Sequence, residues 1–169
     1  MGRFSPGGKH MPEAEACLVT SSAAATRRLG RAIGASALAG DWLGLGGELG
    51  AGKTTLVQGI ALGLDAGQAV VSPTFVLCNI YCGRLTIHHY DLYRLNQAEE
   101  LWQIGYEEVA FGPGLCLVEW YERIPECRPE NSLSVDITII SERKRRLNFL
   151  ARGERAVAWL EKINRTYRA

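Results

Sequence analysis

Apolar residues change their spacing several times along the chain, and each change marks a predicted element. Ala16–Thr20 predicts a short strand. Ser21 or Ser22 can cap a helix that runs to about Leu38, with Leu29, Ala32, Ile33 and Leu38 turned inward. Trp42-Leu-Gly-Leu45 reads as a short buried strand. Beyond a glycine-rich break, Leu56, Ile60, Ala61 and Leu64 share one face of a second helix that ends near Gly63. Val70–Tyr81 and Leu85–Leu92 are strand patterns, and the short Cys82-Gly83-Arg84 join predicts a β-hairpin. Gln97–Trp102 reads as a helix with a charged face. Leu115–Val118, behind Gly112-Pro113-Gly114, reads as a central strand buried on both sides. Leu133–Ile140 and Arg146–Ala151 alternate as two more strands. Glu154 to about Tyr167 closes as a helix burying Val157, Leu160 and Ile163.

This order predicts an α/β domain over residues 13–169, with helices on both faces of a mixed, mostly parallel sheet in a three-layer arrangement. The hairpin and the C-terminal strand pair must run antiparallel. Residues 1–12, rich in Gly and Pro, read as a disordered tail in which Met11 is a second candidate start.

Composition narrows the setting. At 169 residues the chain is long enough for one domain with its own core. A net charge of +1 gives no general case for nucleic-acid binding, so any such contact must be local. No apolar run approaches the ~18 residues of a membrane span, and the N-terminus lacks a secretory apolar segment. The cysteines (Cys17, Cys78, Cys82, Cys116 and Cys127) are odd in number and show no C-x-x-C spacing. Four lie in or beside apolar stretches and read as small core residues. Neither a disulfide framework nor a zinc site is expected, and a cytoplasmic location fits. His10, His88 and His89 complete no metal spacing.

The chemistry concentrates between the second strand and second helix. Gly47-Glu-Leu-Gly-Ala-Gly52-Lys53-Thr54 matches the phosphate-loop pattern G-x-x-x-x-G-K-[ST] in full. Its glycines allow positive φ, so the backbone through Leu49, Gly50, Ala51, Gly52 and Thr55 can wrap phosphate oxygens. Lys53 supplies a charge for the β- and γ-phosphates, and the Thr54 hydroxyl can ligate Mg²⁺. The following helix turns its positive end to the same anion.

Two acids stand where such a site needs them. Glu119 follows Leu115–Val118 directly, and Asp91 ends the strand through Tyr90. Ligands of open α/β sheets gather beyond the carboxyl ends of the strands. One acid can face the metal and the other orient water, and spacing alone leaves the division open. Thr74, in Ser72-Pro-Thr-Phe75, reads either as a γ-phosphate sensor or as a strand entry fixed by proline. Trp120 reads first as a buried aromatic, with a lid for the nucleotide or a partner contact as alternatives. The basic run Glu142-Arg-Lys-Arg-Arg146 reads as a solvated turn, or as a placement of Arg143 or Arg146 against phosphates or RNA.

Four motifs in fixed order, Gly47–Thr55, Ser72–Phe75, His89-Tyr-Asp-Leu-Tyr-Arg94 and Leu117-Val-Glu-Trp120, together resemble the bacterial TsaE (YjeE) family. The likeness covers roughly residues 16–152. It implies a P-loop fold and Mg²⁺-dependent ATP hydrolysis in the threonylcarbamoylation of adenosine 37 of tRNA. It further implies a partnership with TsaD and TsaB, so that tRNA is met through the complex. By motif, Lys53 and Thr54 hold phosphate and metal, Glu119 is the second metal ligand, and Asp91 is the second essential acid, assigned to water. Thr74 is then switch-like, and Arg143 matches a nucleotide-contacting position. The main competing enzyme class is a P-loop small-molecule kinase, whose lid would have to be the short segment 142–146. No N-K-x-D guanine signal occurs in the chain. A nucleotide-dependent scaffold without catalysis is the non-enzymatic alternative.

Overall fold

The computed structural model describes residues 11–168, so the expected tail lies almost wholly outside the described residues. Strand β1 covers Glu13–Thr20, longer than expected, and Ser22 caps helix α1, Ala23–Ser36, by accepting the Ala25 amide. Strand β2 (Trp42–Gly46) leads into helix α2 (Lys53–Gly63). Strands β3 (Cys78–Cys82) and β4 (Thr86–Asp91) form the hairpin. Short helices α3 (Ala98–Gln103) and α4 (Tyr106–Ala110) precede strand β5 (Leu115–Glu119). Strands β6 (Ser132–Ile139) and β7 (Arg145–Arg152) pair antiparallel before helix α5, Glu154–Arg168.

The sheet runs in the order β1-β7-β6-β2-β5-β4-β3. Its four central strands, β6, β2, β5 and β4, are parallel, and the strands outside them pair antiparallel. Helices α1, α2 and α5 cover one face, burying Leu29, Ile33, Leu56, Ile60, Trp159 and Ile163 against Leu43, Leu45 and Leu117. Helices α3 and α4 and two 3₁₀ turns cover the other, around Trp42, Leu101, Tyr106, Val118 and Ile124. There the Trp42 Nε1–H donates to Tyr106 Oη (2.7 Å), whose own proton goes to the Cys127 carbonyl (2.7 Å). Two buried polar groups are satisfied by one chain of bonds.

Several sequence expectations shift. Val70–Tyr81 is a strand only from Cys78. Pro73 opens a turn whose carbonyl accepts the Val76 and Leu77 amides, and Leu77 sits at φ 69°. The apolar Val71, Phe75 and Val76 of that loop are exposed. Leu38 also points outward, because α1 ends at Ser36 and Ala37 is already extended. Trp159 takes the deep position on α5, and Val157 is only half-buried. Of the cysteines, Cys116 and Cys127 are core residues, Cys17 and Cys82 are exposed, and all five are free.

Helices α1 and α2 meet backbone to backbone. Gly30 and Gly34 on one helix face Gly59 and Gly63 on the other, so each helix carries a small-x-x-x-small stripe. A Cβ on Gly59 would fall on the Arg27 carbonyl oxygen, and one on Gly30 on that of Leu56. Rigid backbone on both sides leaves nothing to yield. Gly59→Ala is therefore expected to destabilise the protein by about 1–3 kcal/mol through overpacking. Gly67→Ala, at a glycine with open space around it, should stay within about 0.5 kcal/mol of wild type. Denaturant unfolding of the two variants measures the difference.

Candidate functional site

Strand β2 ends on Gly46, and the chain then wraps through Gly47–Gly52 into the first turn of α2. Gly47 has φ 127° and Gly52, the residue before the helix, φ 109°, both left-handed values that favour glycine. A Cβ at Gly47 would also strike the Ile137 carbonyl. The first backbone bond of the helix is Leu56 N–H to Gly52 O, 3.0 Å. Among the described residues, Ala51 alone of the amides from Leu49 to Thr55 finds an acceptor, the Glu48 carbonyl. The remaining amides of that stretch, at the positive end of α2, are free for an anion.

Lys53 is 5% exposed and donates to the carbonyls of Gly47 (2.6 Å) and Glu48 (3.0 Å). Its ammonium lies 3.9 Å from the centre of the Trp120 ring, a cation–π contact. Burial pushes Lys53 below the ordinary lysine value, while the charges of Glu119, Glu122, Asp91 and Glu48 oppose the shift. Trp120 packs against the edge of the second core and also lines the cleft, so it combines the core and lid readings. Its φ of 58° turns the chain sharply after Glu119 and sets the half-buried indole into the cleft, 5.0 Å from the Tyr93 ring.

The two strand-end acids stand in one cleft with the loop. Glu119 is 3% exposed, and its Oε1 accepts the Thr54 hydroxyl (3.0 Å) and Nε2 of His89 (2.8 Å). Its Oε2 takes no hydrogen bond among the described residues. Asp91, 2% exposed, accepts the Ser72 and Thr74 hydroxyls at Oδ2 (3.1 and 2.8 Å) and the Tyr93 amide at Oδ1 (2.9 Å). The cleft encloses about 440 Å³, with Leu49, Gly50, Gly52, Lys53, Thr54 and Thr55 on one wall and Ser72, Thr74, Asp91, Glu119 and Trp120 on the other.

A second cavity of about 370 Å³ adjoins it across Gly50, Gly52 and Thr55. Arg143 lines this one, opposite Ser22, Ala23 and Thr26 at the start of α1. Arg145, rather than Arg143 or Arg146, braces the loop, donating from Nε to the Ala51 carbonyl (2.9 Å) and from Nη1 to the turn carbonyls of Ser141 and Lys144. Segment 141–144 is thus a pinned hairpin turn. No cluster of three or more His, Cys, Asp or Glu capable of holding a metal occurs among the described residues. The hard oxygens facing the loop are those of Thr54, Glu119 and Asp91, the donor chemistry of a cation completed by phosphate and water.

His89 was legible in the sequence only as a member of a motif. Its position two residues before Asp91 puts both on one face of β4, but the bond to Glu119 depends on pairing with β5. Ser72, Tyr93 and Arg145 carried no assigned role either, because each acts through tertiary contact.

Fold and loop together define a P-loop α/β protein. The family model described as "Threonylcarbamoyl adenosine biosynthesis protein TsaE" matches residues 20–147. The chain belongs to the TsaE family, whose business is threonylcarbamoyladenosine biosynthesis in tRNA. It is 39% identical over 129 residues to the TsaE of Treponema pallidum, covering 76% of this chain and 96% of the relative. The TsaE of Bacillus subtilis is 38% identical over 141 residues, covering 83% and 88% of the two chains. The crystal structure of Bacillus subtilis YdiB superposes with a TM-score of 0.78 at 31% identity, covering 94% of this chain and 98% of that one. None of the described helices is long and apolar enough to cross a membrane.

His89 is fully buried and only its Nε2 is partnered, so the ring serves Glu119. His89→Ala is expected to cost about 1–3 kcal/mol of stability, since a buried carboxylate loses a partner. His89→Gln, whose amide nitrogen can reach the Nε2 position, should recover part of that loss. Chemical denaturation of both variants gives the comparison.

Proposed function

We propose that this chain is a Mg²⁺-dependent ATPase that serves tRNA threonylcarbamoylation in the cytoplasm, together with TsaB and TsaD proteins. The observation that carries the reading is the meeting, in one cleft, of free loop amides, a buried lysine and the Thr54–Glu119 pair. The free amides between Leu49 and Thr55 bind the phosphates, and Lys53 leaves the Gly47 and Glu48 carbonyls to join them. Thr54, through its hydroxyl oxygen, and Glu119, directly or through water, would hold the metal. Bound Mg²⁺ would neutralise charge on the β- and γ-phosphates. Arg143, in the adjoining cavity, contacts the nucleoside.

Asp91 is the water-orienting acid. An ionised carboxylate only accepts hydrogen bonds, and Ser72, Thr74 and the Tyr93 amide occupy it in this structure. Among the described residues Oδ1 carries only the Tyr93 amide and keeps a lone pair for water, and release of the Thr74 hydroxyl would open Oδ2 as well, which makes Thr74 a switch on Asp91. Trp120 and Tyr93 wall the cleft and keep bulk water from Lys53. The kinase reading draws no support from segment 141–144, because Arg145 ties that turn to the loop and leaves no mobile lid there.

Acid variants, metal chelation and added partner proteins test this. Glu119→Gln and Asp91→Asn are each expected to lower Mg²⁺-dependent phosphate release about 100-fold or more while ATP affinity changes only a few-fold. Full turnover in both variants would remove them from the catalytic role. Chelation of Mg²⁺ should abolish release in the wild type. Adding purified TsaB and TsaD should raise phosphate release and capture the chain in the presence of ATP. Transfer of the γ-phosphate to a metabolite, with no response to those proteins, would point to a kinase instead.

A further inference from the structure

The near-neutral net charge of +1 conceals a segregation across the sheet. Helix α1 carries Arg27, Arg28 and Arg31 and no acidic residue. On the opposite layer, α3 and α4 carry Glu99, Glu100, Glu107 and Glu108 and no basic residue. Helix α5 lies beside α1 and ends on Lys162, Arg165 and Arg168, all exposed. A groove of about 390 Å³ runs between the two helices. Arg28 and Arg31 line one wall, Thr166 and Tyr167 the other, with Ala32 and Ala35 at the base.

Four properties distinguish this groove from an ordinary solvated face. None of Arg28, Arg31 or Arg165 forms an ion pair or side-chain hydrogen bond among the described residues, so their guanidinium donors are uncommitted. Arg28 and Arg31 stand three positions apart, on one side of the helix. Arg84 extends the positive strip, donating from Nη2 to the Gly34 and Ala37 carbonyls at the end of α1. The half-buried Tyr167 adds an aromatic ring among these cations. Clustered guanidinium groups match phosphate oxygens by paired donors, and an interleaved ring can stack on a base.

We propose that the α1–α5 groove is a contact surface for the sugar–phosphate backbone of RNA. The family works on tRNA, which makes RNA the polyanion that fits this face best. The groove is built from residues outside the phosphate-loop cleft, so the contact is separate from nucleotide turnover. It positions RNA by its backbone and reads no base sequence.

The test uses the full chain and a labelled, unmodified tRNA transcript, with binding followed by fluorescence anisotropy from about 50 to 200 mM KCl. Wild-type affinity should fall steeply with salt. The triple variant Arg28→Glu, Arg31→Glu, Arg165→Glu should bind at least ~10-fold more weakly, with the salt slope reduced by about 2. Its unfolding midpoint and its rate of ATP hydrolysis should match wild type, which separates loss of RNA contact from misfolding or loss of the active site. The milder Arg28→Ala, Arg31→Ala pair should give an intermediate loss. No tRNA binding by wild type at the lowest salt, or triple-variant affinity within two-fold of wild type, would overturn the proposal. So would equally tight binding to phosphatidylserine vesicles or polyglutamate with the same loss in the variant, because the groove would then be a general polyanion surface.

Discussion

The parallel register of β2, β5 and β4 governs everything at the site. Leu45 stands opposite Glu119, and Glu119 opposite Asp91, so three strands finish in step. Neighbouring strands lie about 4.8 Å apart, which brings the loop and both acids within reach of one bound group. The alternation of side chains then chooses their direction. Ile87 and Leu117 belong to the core beneath α1 and α2, and Tyr90 and Val118 to the other core. His89, Asp91 and Glu119 continue the first set at the strand ends and so turn toward α2. A slip of one residue would send all three to the α3–α4 side. The two cores, by rejecting that slip, also hold the chemistry in place.

The same alternation explains what the sequence disclosed. The loop, the strands before it and beside it, and both strand-end acids follow local rules of spacing and punctuation. The segment at 70–77 broke those rules. Its Val71, Phe75 and Val76 look like strand residues, yet the hydroxyls of Ser72 and Thr74 tie it to a carboxylate, and the apolar side chains face outward. Trp120 was only half legible for a related reason. An aromatic after an apolar strand is usually core, but a left-handed turn at that residue redirects the side chain. Arg145 was hidden because the carbonyl it braces lies 94 positions away in the chain. Contact across such separations leaves no periodic trace.

The glycine stripe between α1 and α2 has a second consequence. It seats α2 close against α1, so the start of α1 approaches the loop and forms one wall of the Arg143 cavity. The spacing that packs the helices therefore also shapes the space beside the phosphate loop. It leaves the outer surface of α1 to its arginines, since the inner surface is backbone and small side chains.

The pattern of satisfied and open groups argues for the nature of the ligand. Asp91 has donors on both oxygens, and Lys53 rests on two carbonyls and an indole face. Hydrogen bonding of this kind lowers the cost of burying both charges. What remains open is a row of loop amides on one side and Glu119 Oε2 on the other. A lone polyphosphate would satisfy the amides but would bring its charge up against Glu119 and Asp91. A lone cation would find Thr54 and one carboxylate, too few oxygens to replace its water shell. A phosphate–metal complex would answer both sides at once, with Thr54 and the acids as the residues that would hold the cation. The carboxylates that would repel an anion alone would become part of what binds the pair, and it is on this charge balance that the proposed metal–nucleotide ligand rests.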